Sequence, residues 1–356
     1  MSLKESEFTE VAAGLGYPEG PVPLSDGGFL LVDIKGGTLL RYRPAKAGGS
    51  YEADAPIDLR DPAGKLGSGP NGAAVGPDGH VYVCNNGGKS FITLPLQNGT
   101  AKWTLNVTGD AAPDFAGGYI QRVDLLTGKA EVWCAPDSVG QPEPDCSHVA
   151  PARQTLSSPD DLIFDSDGGF WFTDWGNLNG RSREVTGVYY VARGSRTPME
   201  KIALRSAPNG IGISPSGDRL YVAETYARWI LYWELTGPGE VKCNPLTMDG
   251  AYLLTGDIPG SGLLDSLRLD EEGNVYVATL LPKGSNPLSN GGVTVISAAG
   301  EVIEFIEIDC GVPEPLPSNL CFGGPDRKTA FLACGGTGRV LSCRMRIPGL
   351  RAAFEL

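Results

Sequence analysis

The chain has 356 residues, of which 41% are hydrophobic, with 50 Gly, 28 Pro and a formal net charge of −13. That acidity disfavours nucleic acid and anionic membranes as partners and favours cations or neutral small molecules. No apolar run reaches the roughly 18 residues of a membrane helix, and the polar opening MSLKESEFTE lacks the apolar core of a signal peptide, so a cytoplasmic location is expected.

One short sentence of sequence recurs along the chain. A residue pair such as Pro-Glu, Pro-Asn or Pro-Asp opens an apolar run. An Asp-Gly or related turn follows, and a second apolar run ends on a polar residue. Two β-runs joined through Asp-Gly are a strong hairpin signal. The copies run from Pro18 to Asp33, Pro70 to Asn85, Ser157 to Asp174, Pro208 to Thr225 and Leu264 to Thr279, with a looser one from Ser318 to Cys334. Residues 1–17 lead in with an expected edge strand. Further strands are expected at Thr38 to Pro44, at Gly117 to Asp124 with Lys129 to Ala135, at Gly187 to Ala192 with Met199 to Leu204, at Ile230 to Leu235, across Gly291 to Ile308, and at Gly338 to Met345. No segment has a convincing helical period. Units of about 50 residues with four short strands each mark a β-propeller. The expectation is therefore an all-β, six-bladed propeller in a single domain, 1–356.

Aligning the copies on the residue that opens the first strand gives Glu19, Asn71, Asp160, Asn209, Asp265 and Asn319. First strands line a propeller's channel, so six oxygen-bearing side chains are expected to ring it at one depth. Turn chemistry alone explains two or three such residues, but explains six in register poorly. At the end of the second strand stand Asp33, Asn85, Asp174, Glu224, Thr279 and Cys334, a second and mostly polar ring at the same face. Asn85 and Asp174 are channel candidates there, although Asp174 also suits a backbone brace. Facing carboxylates either protonate or gather a cation. Hard oxygen donors favour Ca²⁺, then Mg²⁺ or Mn²⁺, with Zn²⁺ only by opportunism.

The eight Cys show no CxxC pair and no metal spacing; Cys134 and Cys146 bracket one long loop and are positioned to pair if oxidised. The two His, His80 and His148, are read as solvated or packed. Nothing indicates an organic cofactor. Long insertions at Gly87 to Gly118, Pro136 to Ser158, Trp175 to Thr186 and Leu280 to Asn290 fall at the ring's own face. Their Phe91, Trp103, Phe115, Trp175, Leu280 and Leu281 suggest a partly apolar pocket over the ring. The Asn-x-Thr sequons at Asn98 and Asn106 are read as chance.

The motifs Pro18-Glu19-Gly20, Pro159-Asp160-Asp161, Pro208-Asn209-Gly210-Ile211 and Leu264-Asp265-Ser266, in this order at blade spacing, resemble the regucalcin/gluconolactonase family of six-bladed metal-dependent hydrolases. The run DDLIFDSDGGFWFTDWGN resembles the drug-responsive lactonase branch of that family. The resemblance implies that Glu19, Asp160, Asn209 and Asp265 bind one catalytic divalent cation. It makes Asp265 the general base toward water, with Asp160 as second candidate. Asn71, Asn85, Asp174, Trp175, Ser266 and Asn319 would then border the substrate channel. Ser158 stands where sugar-lactone members often carry Arg, which argues against a gluconolactone-type substrate. The implied activity is hydrolysis of a small lactone or ester. A phosphotriesterase, a calcium-binding propeller without catalysis and a metal-free propeller scaffold remain alternatives.

Overall fold

Each copy of the repeat forms the two innermost strands of one antiparallel sheet. The structure, a computed structural model, describes the chain except residues 1, 46–49, 62–63, 99–100, 141–154, 180–181, 185, 205 and 282–288. Among the described residues there are six sheets of four or five strands, one long hairpin and one short one. The inner strands are Pro18–Pro23, Pro70–Val75, Pro159–Phe164, Pro208–Ile213, Leu263–Leu269 and Pro317–Gly323. Each packs on the next and the last packs on the first, which closes the circle. The fold is a six-bladed β-propeller.

The turns explain why these runs become hairpins. In the third copy Gly168 adopts φ +88°, a region open to glycine and strained for other residues. The strand it starts, Phe170–Asp174, pairs with Pro159–Phe164 on one side and Thr186–Val191 on the other. Apolar side chains on alternate positions fill the gaps between blades. Trp171, Val188, Ile202, Ile211, Val222 and Trp233 form one such layer between blades three and four. Fully burying each large apolar side chain contributes about 1.5–3 kcal/mol.

The expected lead-in strand is Thr9–Ala12. It pairs with Arg339–Arg344 as the outermost strand of blade six. Blade six is thus built from chain segments far apart in sequence, and this joint locks the circle. At the far end of the channel, residues 348–356 run across the mouth. Leu350 N donates to Leu269 O at 2.9 Å and Ser25 N to Leu356 O at 2.7 Å. Phe354 packs edge-on against Phe164, with ring centroids 5.9 Å apart.

At the near end, the residue that closes each second strand lies opposite the residue that opens the first: Pro18 opposite Asp33, Pro70 opposite Asn85, Pro159 opposite Asp174, Pro208 opposite Glu224. These side chains brace the backbone. Asp174 accepts from Ser157 N and Ser158 N at 2.7 Å each, and from Gly176 N at 3.1 Å. Asn85 Oδ1 accepts from Gly69 N at 2.8 Å and Gly87 N at 3.1 Å, while its Nδ2 donates to Gln121.

Two cysteine and histidine readings resolve here. Cys134 is a free, fully buried thiol, so it does not pair with Cys146, which lies outside the described residues. His80 sits beside Asp78 and Arg122, away from the channel mouth; His148 lies outside the described residues.

Two predictions follow from the braces and the sheet they hold. Asp174→Ala strands three buried N–H groups and should lower the unfolding free energy by on the order of 3 kcal/mol, measured by denaturant melts. A loss below about 1 kcal/mol would contradict the brace. Glu200, on the outer strand of the same blade, is buried, and its Oε1 meets no hydrogen-bond partner among the described residues. Burial first, and then the charge of Asp174, push its carboxyl from 4.5 up to about 7. A raised carboxyl favours the protonated folded state, so its stabilising contribution is full below pH 4.5 and is lost as pH rises through about 7. Glu200→Gln should therefore flatten the decline in melting temperature between about pH 5 and 8; identical slopes in variant and parent would count against it.

Candidate active site in the channel mouth

The ring residues sit at irregularities in the inner strands. The pairing register shifts between Glu19 and Val22, Pro70 and Ala73, Pro159 and Leu162, Pro208 and Ile211, and Leu264 and Leu267. Such bulges re-aim side chains and favour active sites. Small residues make room for them. A Cβ on Gly72 would lie 2.5 Å from Asp161 Cα, and one on Gly210 would lie 2.3 Å from Leu267 N. The glycines after Asn71 and Asn209 let the next inner strand come close.

Five of the six ring residues, Glu19, Asn71, Asp160, Asn209 and Asp265, line one cavity of about 330 Å³. The sixth, Asn319, is buried behind it and donates from Nδ2 to Glu19 Oε2 at 2.7 Å. Ser266 is also behind the wall, its Oγ 3.5 Å from Asn209 Oδ1. Trp175 lines the cavity. Asn85 and Asp174 do not line it, because their side chains are committed to the braces. Ser158 is fully buried and likewise absent from the lining. In blade order the ring reads acid, amide, acid, amide, acid, amide, so no carboxylate neighbours another around the channel. Accordingly, among the described residues no three His, Cys, Asp or Glu side chains form a tight metal cluster.

The carboxylates still sense one another. Burial, opposed by the Asn319 hydrogen bond, sets Glu19 at about 7. Burial and the charge of Glu19 hold Asp160 well above the usual carboxylate range, with Lys89 pulling the other way. Burial, Glu19 and Asp160 do the same to Asp265, which Asn209 partly relieves by a hydrogen bond. Tyr17, on the cavity wall, is pushed up by burial and by Asp265, so its phenol stays protonated. This crowding is the situation a cation relieves. The facing donors are all hard oxygens, which suits Ca²⁺ or Mg²⁺ better than Zn²⁺. Glu19, Asp160, Asn209 and Asp265 are the residues that could hold such an ion, with Asn71 on the same cavity.

Sequence reasoning missed two parts of the site. Below the ring, Asp161 is fully buried and paired with Arg268 Nη1 at 2.7 Å. Above it, the insertion after Asn85 is a long β-hairpin, Lys89–Asn98 and Ala101–Ala111, rather than a loop. The signal was present: Asn98-Gly99 between alternating runs is a hairpin turn sequence. The hairpin spans the mouth. Asn106 Nδ2 donates to Gly16 O at 2.9 Å, and Asn106 N to Gly336 O at 2.8 Å. Asn106 thus has a structural task. Leu105 packs with Leu280 and Leu316. Leu280 and Leu281 line the cavity as expected, along with Val107, Leu263 and Tyr226. Phe91 packs on Tyr17 at 5.7 Å, and Phe115 lies under Gly87; neither lines the cavity. The Trp103 side chain and most of the 136–158 and 280–290 insertions lie outside the described residues.

Comparison with known proteins agrees with this architecture. The family model described as SMP-30/Gluconolactonase/LRE-like region matches residues 17–335. A gluconolactonase of Zymomonas mobilis is 24% identical over 326 residues, covering 88% of this chain and 75% of that protein. Lactonase drp35 of Staphylococcus aureus is 38% identical over 119 residues, 33% of this chain and 35% of that one. The structure of a regucalcin from Agrobacterium tumefaciens, described as a calcium-binding protein, superposes with a TM-score of 0.60 at 16% identity, covering 97% of this chain and 98% of that one. The chain belongs to the SMP-30/gluconolactonase/LRE-like family.

Proposed function

We propose that this protein is a divalent-cation-dependent lactonase. The observation that supports it most is the convergence of three carboxylates and two amides on one cavity that also has an apolar wall. The lactonase names of its relatives point the same way. Ca²⁺ is the preferred ion, held by Glu19, Asp160, Asn209 and Asp265. When bound, it supplies a Lewis acid for the lactone carbonyl and a countercharge for developing negative charge.

The chain's own groups do the rest. Asn319 and Gly20 hold the Glu19 carboxylate by hydrogen bonds at 2.7 and 2.6 Å. Ser266 Oγ stands 3.5 Å from Asn209 Oδ1, and Asn209 eases the Asp265 carboxyl. Asp265 is the proposed general base, taking a proton from the attacking water, and Asp160 is the second candidate. Leu263, Leu280, Leu281, Leu316 and Val107 exclude water from the substrate's apolar side. A small, partly apolar lactone fits such a wall better than a polyhydroxylated one.

The first test is hydrolysis of dihydrocoumarin, γ-butyrolactone, gluconolactone and a phosphotriester by EDTA-treated protein, with and without added Ca²⁺. Chelation should abolish lactone turnover and Ca²⁺ should restore it. Full turnover after chelation would exclude the cation, and turnover of the phosphotriester alone would replace the lactone as substrate. Asp265→Asn should lower kcat by at least about 100-fold, the lower range for a general base, with an unchanged circular dichroism spectrum; a kcat near the parent's would remove Asp265 from that role. Glu19→Gln should weaken Ca²⁺ binding about tenfold or more, read by calorimetric titration, and an unaltered isotherm would take Glu19 out of the ligand set.

A further inference from the structure

The cavity combines acids, amides and an apolar wall with a single ammonium. Among the described residues, Lys89 is the only cationic side chain lining it. The group is built in rather than waving from the surface. Lys89 begins the first strand of the hairpin that spans the mouth. Its Nζ stands 4.9 Å from the centre of the Trp175 ring and donates to Asn177 Oδ1. Asn177 is itself buried and donates to Ser157 Oγ at 3.2 Å. Trp175 is held in turn, its Nε1 3.4 Å from Thr225 Oγ1 and its ring 5.9 Å from that of Tyr226.

An ammonium seated on an indole face has given up part of its hydration, and its position is fixed by the ring's quadrupole. A cation prepared in this way meets an anion at lower cost than a freely solvated lysine. It lines the same cavity as Glu19, Asp160 and Asp265, so a ligand with one end at the ring has its other end within reach of this wall. The cavity, at about 330 Å³, holds a small ring with one substituent.

We infer that Lys89 is a specificity-determining residue that receives a carboxylate carried by the substrate, so that the preferred substrates are lactones bearing an anionic substituent. The inference rests on the lactonase reading and adds the substrate class. The Lys89 ammonium donates to the substituent's oxygen while the ring residues face the ester carbonyl. Trp175 and Tyr226 flank the substituent, and the leucines cover the carbon skeleton.

The experiment compares γ-butyrolactone with γ-carboxy-γ-butyrolactone, which differ only by the carboxylate, in protein supplied with Ca²⁺. The readout is the ratio of their kcat/KM values in the parent, in Lys89→Met and in Lys89→Arg. The parent should favour the carboxylated lactone. In Lys89→Met that ratio should fall about 10- to 100-fold, the range of one charge-assisted hydrogen bond, chiefly through KM, and Lys89→Arg should recover most of it. A parent without preference, or a ratio unaltered in Lys89→Met, overturns the assignment, as does an equal loss for both lactones. Thermal melting identifies folded variants, and Lys89→Gln serves if Lys89→Met does not fold. Calorimetry with γ-carboxy-γ-butyrolactone separates this inference from the lactonase reading. If the parent hydrolyses neither lactone, the lactonase reading fails; binding that is lost in Lys89→Met then still supports Lys89, and binding equal in both, or absent from the parent, overturns it.

Discussion

The mouth of the channel depends on one contact repeated around it. The side chain that ends the second strand of a blade accepts backbone N–H groups from the residues just ahead of the first strand. Asp33 takes Gly16 and Tyr17 at 2.8 Å each, Asn85 takes Gly69, Asp174 takes Ser157 and Ser158, and Glu224 takes Ala207 at 2.9 Å. These N–H groups sit at blade junctions beyond the reach of a sheet ladder. Leaving one buried and unpaired costs about 1–3 kcal/mol. In all four blades the ring residue comes two positions after the last N–H so held: Glu19 after Tyr17, Asn71 after Gly69, Asp160 after Ser158, Asn209 after Ala207. The second polar ring therefore sets the depth of the first. Blades five and six do without it. Thr279 pairs its hydroxyl with Thr294 at 2.7 Å, and Cys334 packs as a small apolar group.

That geometry is what makes a charged ring tolerable. Three buried carboxylates side by side would repel strongly at low dielectric. Alternating them with amides spaces them by two blades and gives two of the three a hydrogen-bond donor: Asn319 for Glu19 and Asn209 for Asp265. Burial first, and then the repulsion that remains, hold the ring carboxyls up, a situation a bound cation would relieve. Beneath the ring the fully buried Asp161 adds a fourth carboxylate, and Arg268 neutralises it within the channel. Arg268 also eases Glu19. Among the described residues the site thus has a charged floor below, an acceptor ring in the middle and the Lys89 ammonium on the wall above.

Much of this was legible from the residues because it is local and repeated. Asp-Gly turns between apolar runs specify hairpins wherever they occur, and six copies specify their own alignment. The alignment alone placed Glu19, Asn71, Asp160, Asn209 and Asp265 together, since residues in register on inner strands have no other place to go. Contacts without a repeat to reveal them were harder to see. The Thr9–Ala12 strand could be expected, but its partner in Arg339–Arg344 is more than 300 residues away. Lys89 reads as an ordinary surface lysine until the hairpin carries it over Trp175. Asn85 and Asp174 were ambiguous for a different reason: a carboxylate or amide at a strand end serves a brace or a ligand equally well, and only the N–H groups around it decide.

The two ends of the channel are closed by different means, and the difference bears on how the site works. At the far end, residues 348–356 lie across the mouth over a small apolar cavity, with Phe354 against Phe164 and Leu350 bonded to Leu269. That seal is hydrophobic and hydrogen-bonded into blades one and five. At the near end the hairpin is pinned at its far side by Asn106 and Leu105, while its root carries Lys89 and the Gly88 turn. Among the described residues, the near side of the ring opens into the cavity lined by Lys89, Trp175 and the leucines, while the far side is covered by residues 348–356. A charge buried at the base of a one-ended pocket acts through a lower effective dielectric than one in an open channel. The same acids accordingly repel one another more strongly here than they would in a propeller open at both ends. Closing the far mouth is thus part of the electrostatics of the near one.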